Sequence, residues 1–348
     1  MRTEYFITMD THCRTVDACI KTRSGKLIRR DHLSTGIPQL REIIESVPRP
    51  RYVAFEEGPM AGWLYRHLRG SADLLVVCDP RRNAHIAKDG DKDDPIDAEK
   101  LNHLFRGGYL RPVHQQDNDE QAAVKQLVGM YHDRVRHRVG EGNRLLAFGK
   151  RWGVMFRRST LAQSRAADLL REQLEAAAVP RRACELALGL LGGFQEALGQ
   201  EVHLYKQICL LMKQNKMMRR TAALPGYGPI RSATLISYLD TPWRFKSKSA
   251  LWKYVGIGLR RAKSGTGMDI LCVAQACNRL LRDVTIGAAQ SAIDQKENVF
   301  AERYRYWLKA GLSSRNARRN VARDQVTAVW GMWKSDRDFD PGLLKVWS

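Results

Sequence analysis

Four carboxylates stand where a site that cuts phosphodiesters would need them: Asp10 after the run YFITM, Glu56 after YVAF, and Asp94 and Asp97 in KDDPIDAEKL. Carboxylates gathered at one place cannot all ionise cheaply, so such a set requires cations, and hard oxygen donors beside phosphate select Mg²⁺ or Mn²⁺. Two ions of this kind could clamp a scissile phosphodiester. The i, i+3 spacing puts Asp94 and Asp97 on one face of a helix. Taken singly, each acid has an ordinary role, Asp94 as an N-cap, Asp97 as a macrodipole partner and Glu56 as a solvated strand end. Together, at the ends of successive strands, they read as a metal site, because ligands of open α/β sheets gather at those ends. Glu57 competes with Glu56. The latter is preferred because it continues YVAF directly, and a slip of one residue would turn the side chain to the other face.

A second candidate is Ser264, in GLRRAKSGTGMD at residues 258–269. A serine hydroxyl is a poor nucleophile until its proton is removed or the developing charge is stabilised. Arg260, Arg261 and Lys263 supply positive charge that would neutralise a phosphate, and Gly265 and Gly267 allow a close backbone approach. By itself, S-G-T-G is a flexible turn.

The elements that must position these groups follow from periodicity. Tyr5, Ile7 and Met9 alternate with Phe6 and Thr8, VDACIK continues after a polar turn, and KLIRR follows Ser24-Gly25, so three strands open the chain. Leu40, Ile43, Ile44 and Val47 recur at helical spacing. YVAFE and LLVVC are short apolar runs flanking the helix-like AGWLYRHLRG, the pattern of buried parallel strands with a crossover. Asp94 and Pro95 then suit the cap and first turn of a helix whose apolar face is Leu101, Leu104 and Phe105. The expected division is an α/β domain over residues 1–115, a helical region over 116–220, and a mainly helical domain over 221–348. In the middle region Val124, Val128, Tyr131 and Val135, and then Phe194, Leu198, Tyr205, Ile208 and Met212, recur at coiled-coil-like spacing. An antiparallel helical pair inside one chain and a pairing with another copy fit that spacing equally.

Charge narrows the partners. Against 37 Asp and Glu the chain carries 58 Lys and Arg, a formal charge of +21, which makes a polyanion the simplest ligand. In ALPGYGPIRSATLISYL a turn with Gly226 and Gly228 leads into a helix whose first amides are free to meet a phosphate, as in half of a helix-hairpin-helix backbone binder. RYRYWLKAGLSSRNARRNVAR adds Arg315, Arg318 and Arg319 with interleaved aromatics, a mixture that suits backbone contact and stacking on unpaired bases. The 7 cysteines include no CxxC pair, so neither a disulfide framework nor a zinc ribbon is encoded. No apolar run is long enough to span a bilayer, and the start is a polar-flanked strand, so the reading is a cytoplasmic protein without a membrane segment. The 9 histidines show no motif spacing and receive no role.

The array YFITMDTH, VAFEEG, KDDPIDAEKL, a helical middle, LPGYGPIRSATLISYL and RFKSKSALWKYVGIGLRRAKSGTG resembles the DEDD transposases of insertion sequences, relatives of Piv-type DNA invertases and of bridge-RNA-guided recombinases. That resemblance spans almost the whole chain. It implies an N-terminal RuvC-like domain of the RNase H-like class, a coiled-coil middle that assembles a homo-oligomer, a dimer or tetramer, and a C-terminal transposase domain. It also implies that Asp10, Glu56, Asp94 and Asp97 are metal ligands, that Ser264 is the nucleophile, and that the partners are donor and target DNA with a noncoding guide RNA, in a prokaryotic cytoplasm at the nucleoid. The chain departs from the family pattern in Glu57-Gly58-Pro59 after the glutamate and in ILCVAQACNRLLRD beyond the serine. Two other readings stay open. A RuvC-like structure-selective endonuclease would keep the acids and use water as the nucleophile, and a non-catalytic scaffold would keep only the basic surface.

Overall fold

Alternation along the first 80 residues dictates how the chain begins. In the structure, a computed structural model, residues 2–83, 94–262, 270–273 and 277–344 are described, with side chains described throughout except at 82, 94–96, 260–262 and 270–273. Strands β1 (Tyr5–Thr11), β2 (Thr15–Thr22) and β3 (Leu27–Ser34) form an antiparallel meander, followed by α1 (Ile37–Glu45), β4 (Arg51–Glu56), α2 (Ala61–Leu68) and β5 (Leu74–Cys78). A short α3 (Pro80–Asn83) and α4 (Asp94–Arg106) complete this part. The sheet order is β3-β2-β1-β4-β5, with β4 parallel to β1 and β5 parallel to β4. The chain divides into two units, Met1–Ala122 and Ala123–Ser348.

Period-2 alternation sorts the first unit into layers. Ile7, Met9, Val53, Phe55 and Val77 face Leu40, Ile44, Leu64 and Leu68 of α1 and α2. On the opposite face, Phe6, Ala54 and Cys78 pack with Leu101, Leu104 and Phe105 of α4. Polar contacts fix α4 on that face. Buried Thr8 donates Oγ1 to Ala98 O at 2.7 Å, and Asn102 Nδ2 donates to Phe6 O at 2.8 Å. Lys21, nearly buried, and Arg30 both pair with Glu99, whose carboxyl is held below its usual range chiefly by the Lys21 hydrogen bond. Because a helix can roll on an apolar surface, these directional bonds decide its register over β1 and β2.

Among its described residues the second unit is helical apart from one two-stranded ribbon. It is built from α5 (Asp119–Arg151), α6 (Arg158–Leu161), α7 (Ala166–Ala176), α8 (Arg181–Gln214), α9 (Lys216–Ala222), α10 (Pro229–Leu239) and α11 (Lys248–Val255). Then come β6 (Leu259–Ala262) and β7 (Ile270–Val273), paired antiparallel, and α12 (Arg279–Asp294), α13 (Val299–Lys309) and α14 (Ser314–Ser335). Helices α5 and α8 lie antiparallel within the one chain. Arg134 Nη1 donates to Gln200 Oε1 at 3.1 Å, and Arg138 Nε to Glu201 Oε2 at 2.5 Å. A Cβ at Gly142 would sit 3.3 Å from the Phe194 ring, so the glycine lets that ring close on α5. Of the heptad-like residues of the middle region, Val128 and Ile208 lie in one core and Phe194 in another, while Tyr205 is exposed. Among the described residues no helix is long and apolar enough to cross a membrane.

The Pro225–Gly228 turn is locked between helices. Gln325 Nε2 of α14 donates to Pro225 O at 2.9 Å, while Arg231 Nη1 donates to Gly226 O at 2.7 Å and to Ser291 Oγ of α12 at 2.8 Å. Gly226 has φ +83°, and a Cβ there would lie 2.0 Å from Ala288 O and 2.8 Å from Ala292 N. We expect Gly226→Ala to lose about 3 kcal/mol or more, from backbone strain together with displacement of α12. Gly228→Ala, at φ −141° with open space beyond it, should stay within about 0.5 kcal/mol. Urea unfolding of the two variants checks both values, and equal stabilities would remove the packing explanation for Gly226.

Candidate active site

The parallel pairing of β1 with β4 sets Met9 opposite Phe55, so Asp10 and Glu56 follow as lateral neighbours at the two strand ends. By alternation both share the face on which Thr8 and Ala54 meet α4. Helix α4 starts at Asp94, and the bonds from Thr8 Oγ1 to Ala98 O and from Lys21 to Glu99 hold its N-terminal half over the sheet. Asp97 lies in that turn, with Lys100 Nζ 3.9 Å from its Oδ1. The Asp94 side chain lies outside the described residues.

Glu56 records the convergence electrostatically. Burial pushes its carboxyl above the ordinary range; the hydrogen bond from Asn83 opposes that shift, and the charges of Asp10, Asp97 and Asp79 add to it. Asn83 Nδ2 lies 2.9 Å from Glu56 Oε1 and 3.2 Å from Cys78 Sγ, and this buried amide fixes the carboxylate's rotamer. Glu57 is exposed, and its backbone amide donates to Cys78 O at 2.8 Å. Asp10, about a quarter exposed (26%), has His12 Nε2 at 3.3 Å from its Oδ2. One strand over, buried Asp17 pairs in register with Asp10 and bonds His32 Nδ1 at 3.0 Å.

Among the described residues no three His, Cys, Asp or Glu side chains close on a point as a finished metal centre. The chemistry of the set nevertheless fits a hard cation. Glu56 is a partly buried carboxyl whose charged form is opposed by three neighbouring acids, which is the imbalance that a divalent ion relieves. Because the Glu56 pKa is higher folded than unfolded, its ionisation weakens the fold. Its contribution is full below the ordinary carboxylate pKa and is lost as pH rises through the raised value. Mg²⁺ should reverse that loss. At pH 7, with Mg²⁺ at a hundredfold over its dissociation constant, we expect a gain of about 2.7 kcal/mol. The gain should shrink toward pH 4, where protons compete for Glu56, and should be lost in Glu56→Gln. Thermal midpoints of the nucleic-acid-free protein test this, and a midpoint blind to Mg²⁺ at both pH values would dismiss the acids as ligands.

In the second unit Ser264 and Lys263 lie outside the described residues, as do the side chains of Arg260 and Arg261. The strands on either side of that segment are placed, with Ala262 paired to Ile270. The entry to β6 is held by α14, where Arg323 donates Nε to Ile257 O at 2.9 Å and stacks over Trp252 at 5.6 Å. Arg315, Arg318 and Arg319 project from the first turns of α14, Arg315 exposed and the other two half-buried. Arg303, within the basic run, is nearly buried and pairs with Asp324, so its role there is structural.

Sequence reasoning passed over Asn83, Asp79 and His12 beside the acids, and Arg282 beside the ribbon. Asp79 carried a signal, since Asp-Pro opens a helix and its Oδ1 accepts from Arg81 N at 3.0 Å. Asn83 carried none, because its role depends on α3 folding back toward β4.

Residues 7–148, which hold all four acids, match the DEDD transposase family of IS110 elements, described as "Transposase". Residues 218–305, which hold the Pro-Gly turn and Ser264, match the "Transposase IS116/IS110/IS902 family". A curated relative from Sinorhizobium fredii (strain NBRC 101917 / NGR234), "Putative transposase y4pF/y4sB", is 25% identical over 231 residues, covering 66% of this chain and 58% of the relative. With both family matches in chain order, together covering more than half of its residues, the chain belongs to the IS110 family of DEDD transposases.

Proposed function

We propose that the protein is a DNA transposase and recombinase of an insertion sequence, cutting and rejoining DNA through a phosphoserine intermediate and selecting its sites with a noncoding guide RNA. The observation that carries this reading is the approach of Asp10 and Asp97 to the partly buried Glu56. The order β3-β2-β1-β4-β5, with the first three strands antiparallel and the last two parallel to β1, supports a RuvC-like assignment for the first unit. Asp10, Glu56, Asp94 and Asp97 would hold Mg²⁺ or Mn²⁺. A divalent ion there supplies Lewis-acid stabilisation of charge on a phosphodiester oxygen.

Ser264 performs the transfer. Its Oγ bonds to phosphorus and loses its proton while one P–O ester bond breaks, and the sugar oxygen leaves as a hydroxyl. The steps reverse when a hydroxyl of another strand end attacks the phosphoserine and Ser264 regains a proton. The energy of the broken ester is thus kept in the protein–DNA bond, and rejoining needs no external energy source. Arg260, Arg261 and Lys263 neutralise the phosphate under attack. The Gly226–Gly228 turn and the arginines of α14 hold the backbone, and the formal charge of +21 draws DNA and guide RNA together. The protein acts as a homo-oligomer, a dimer or tetramer.

End-labelled DNA carrying the element's termini, incubated with the protein, its co-purifying RNA and Mg²⁺, tests the proposal on a denaturing gel. Label migrating with the polypeptide is expected. Cut DNA with free ends and no adduct would select a water-using endonuclease, and uncut DNA would leave a binding scaffold.

A further inference from the structure

Helix α14 opens in a way that electrostatics disfavours. Its N-terminal half carries Arg315, Arg318 and Arg319 with no acid in the first turn, so cations sit at the positive end of the macrodipole and beside one another. Arg282, near the start of α12, joins them. Burial first, and then the charges of Arg315, Arg282 and Arg318, hold the Arg319 guanidinium below its usual range. Among the described residues no carboxylate forms an ion pair with any of these four; Asp324, the nearest acid on α14, is bound by Arg303. Their bonds go to neutral groups, Arg318 Nη1 to Gln290 Oε1 at 2.6 Å and Arg319 Nη1 to Asn316 Oδ1 at 2.9 Å.

The place of the cluster gives it meaning. A Cβ on Gly256 would lie 3.2 Å from Arg282 Cβ, and Arg323, one turn beyond Arg319, binds Ile257 O. Gly256 and Ile257 lead directly into β6. Arg282 and Arg319, the latter one turn before Arg323, therefore lie near the root of the ribbon that flanks residue 264, and the charges of Arg315, Arg282 and Arg318 oppose that of Arg319.

We infer that Arg282 and Arg319, with Arg315 at the rim, form a discrete site for one backbone phosphate of DNA at the root of the β6–β7 ribbon. An anion between α12 and α14 cancels the repulsion that the unliganded protein sustains, and guanidinium forks match phosphate oxygens in pairs. A phosphate held there fixes the DNA strand relative to the ribbon, whereas exposed arginines elsewhere only attract it. DNA is the ligand because the site borders the segment that is proposed to attack DNA, so the inference rests on that reading.

The test is the salt dependence of binding of a fluorescent DNA duplex to the full-length protein. In Arg282→Gln/Arg319→Gln the magnitude of the log–log slope should fall by about one, the share of one phosphate contact. Arg181→Gln/Arg182→Gln, at the exposed start of α8, should leave the slope unchanged. Without nucleic acid, the double variant at 282 and 319 should melt at or above the temperature of the unmodified protein, since like charge has been removed. An unchanged slope, an equal fall in the α8 control, a lower melting temperature, or a fall seen with an RNA duplex but not with DNA would each overturn the site. The adduct gel is independent. A changed slope without adduct keeps the phosphate site and removes the serine chemistry; adduct with an unchanged slope does the reverse.

Discussion

Asp10→Asn and Glu56→Gln should each lower DNA strand cleavage by roughly 10³-fold or more, because each removes a negative oxygen donor from a site whose Lewis-acid chemistry is worth several kcal/mol. Asp94→Asn and Asp97→Asn should do the same. Binding should remain near normal, since the +21 charge lies outside the acid set and losing an acid makes the protein slightly more basic. The geometry adds a contrast. Glu57→Gln alters an exposed side chain one residue from Glu56 and should cleave normally, whereas Glu56→Gln retains shape and hydrogen bonding to Asn83 while losing charge. A time course of strand nicking at fixed Mg²⁺, with binding followed separately, checks the set. Full activity in Asp94→Asn and Asp97→Asn would reduce that pair to capping α4, and equal losses at Glu56 and Glu57 would point to folding.

Ser264→Ala should abolish the protein–DNA adduct, a loss on the order of 10⁴-fold or more, because a methyl group has no oxygen to bond to phosphorus. The change is small in volume and falls between two paired strands, so binding of DNA and of Mg²⁺ should persist. Ser264→Cys offers a sulfur of different nucleophilicity in the same position and should give a weak adduct or none. Mass spectrometry of the protease-digested adduct should find the nucleotide on the peptide containing residue 264. Label on another peptide would identify a different nucleophile, and undiminished adduct in Ser264→Ala would remove Ser264 from the chemistry.

Much of the first unit was legible in the sequence because its signals are local. Ile7 and Met9 alternate with Phe6 and Thr8, and the observed β1 buries these sets on opposite faces. LLVVC lies at residues 74–78 as expected from an apolar run bounded by polar residues. Asp10 and Glu56 could be nominated because they end such strands. The preference for Glu56 over Glu57 rested on one residue of register, and pairing Met9 with Phe55 settled which acid shares a face with Asp10.

What the sequence by itself determined was everything written in short-range periodicity and charge, namely the strands and helices of the first unit, the acids at strand ends and a basic second half, but not the β6–β7 ribbon. The tertiary structure decided which distant residues meet. Period-3.5 spacing suits a helix facing another chain or its own, and the bonds from Arg134 and Arg138 to Gln200 and Glu201, with the Phe194 ring against Gly142, bring α5 against α8 within one chain. Nothing local in Asn83 points to Glu56, and nothing in Arg282 points to Arg319, whose positions in the chain are 37 residues apart. Gly226 reads as a turn residue, yet its fit against Ala288 depends on where α12 lies. The physical reason is common to all of these. Periodicity and propensity act over a few residues, whereas a pKa shift, a helix contact or a cluster of like charges depends on distances through space that only packing sets.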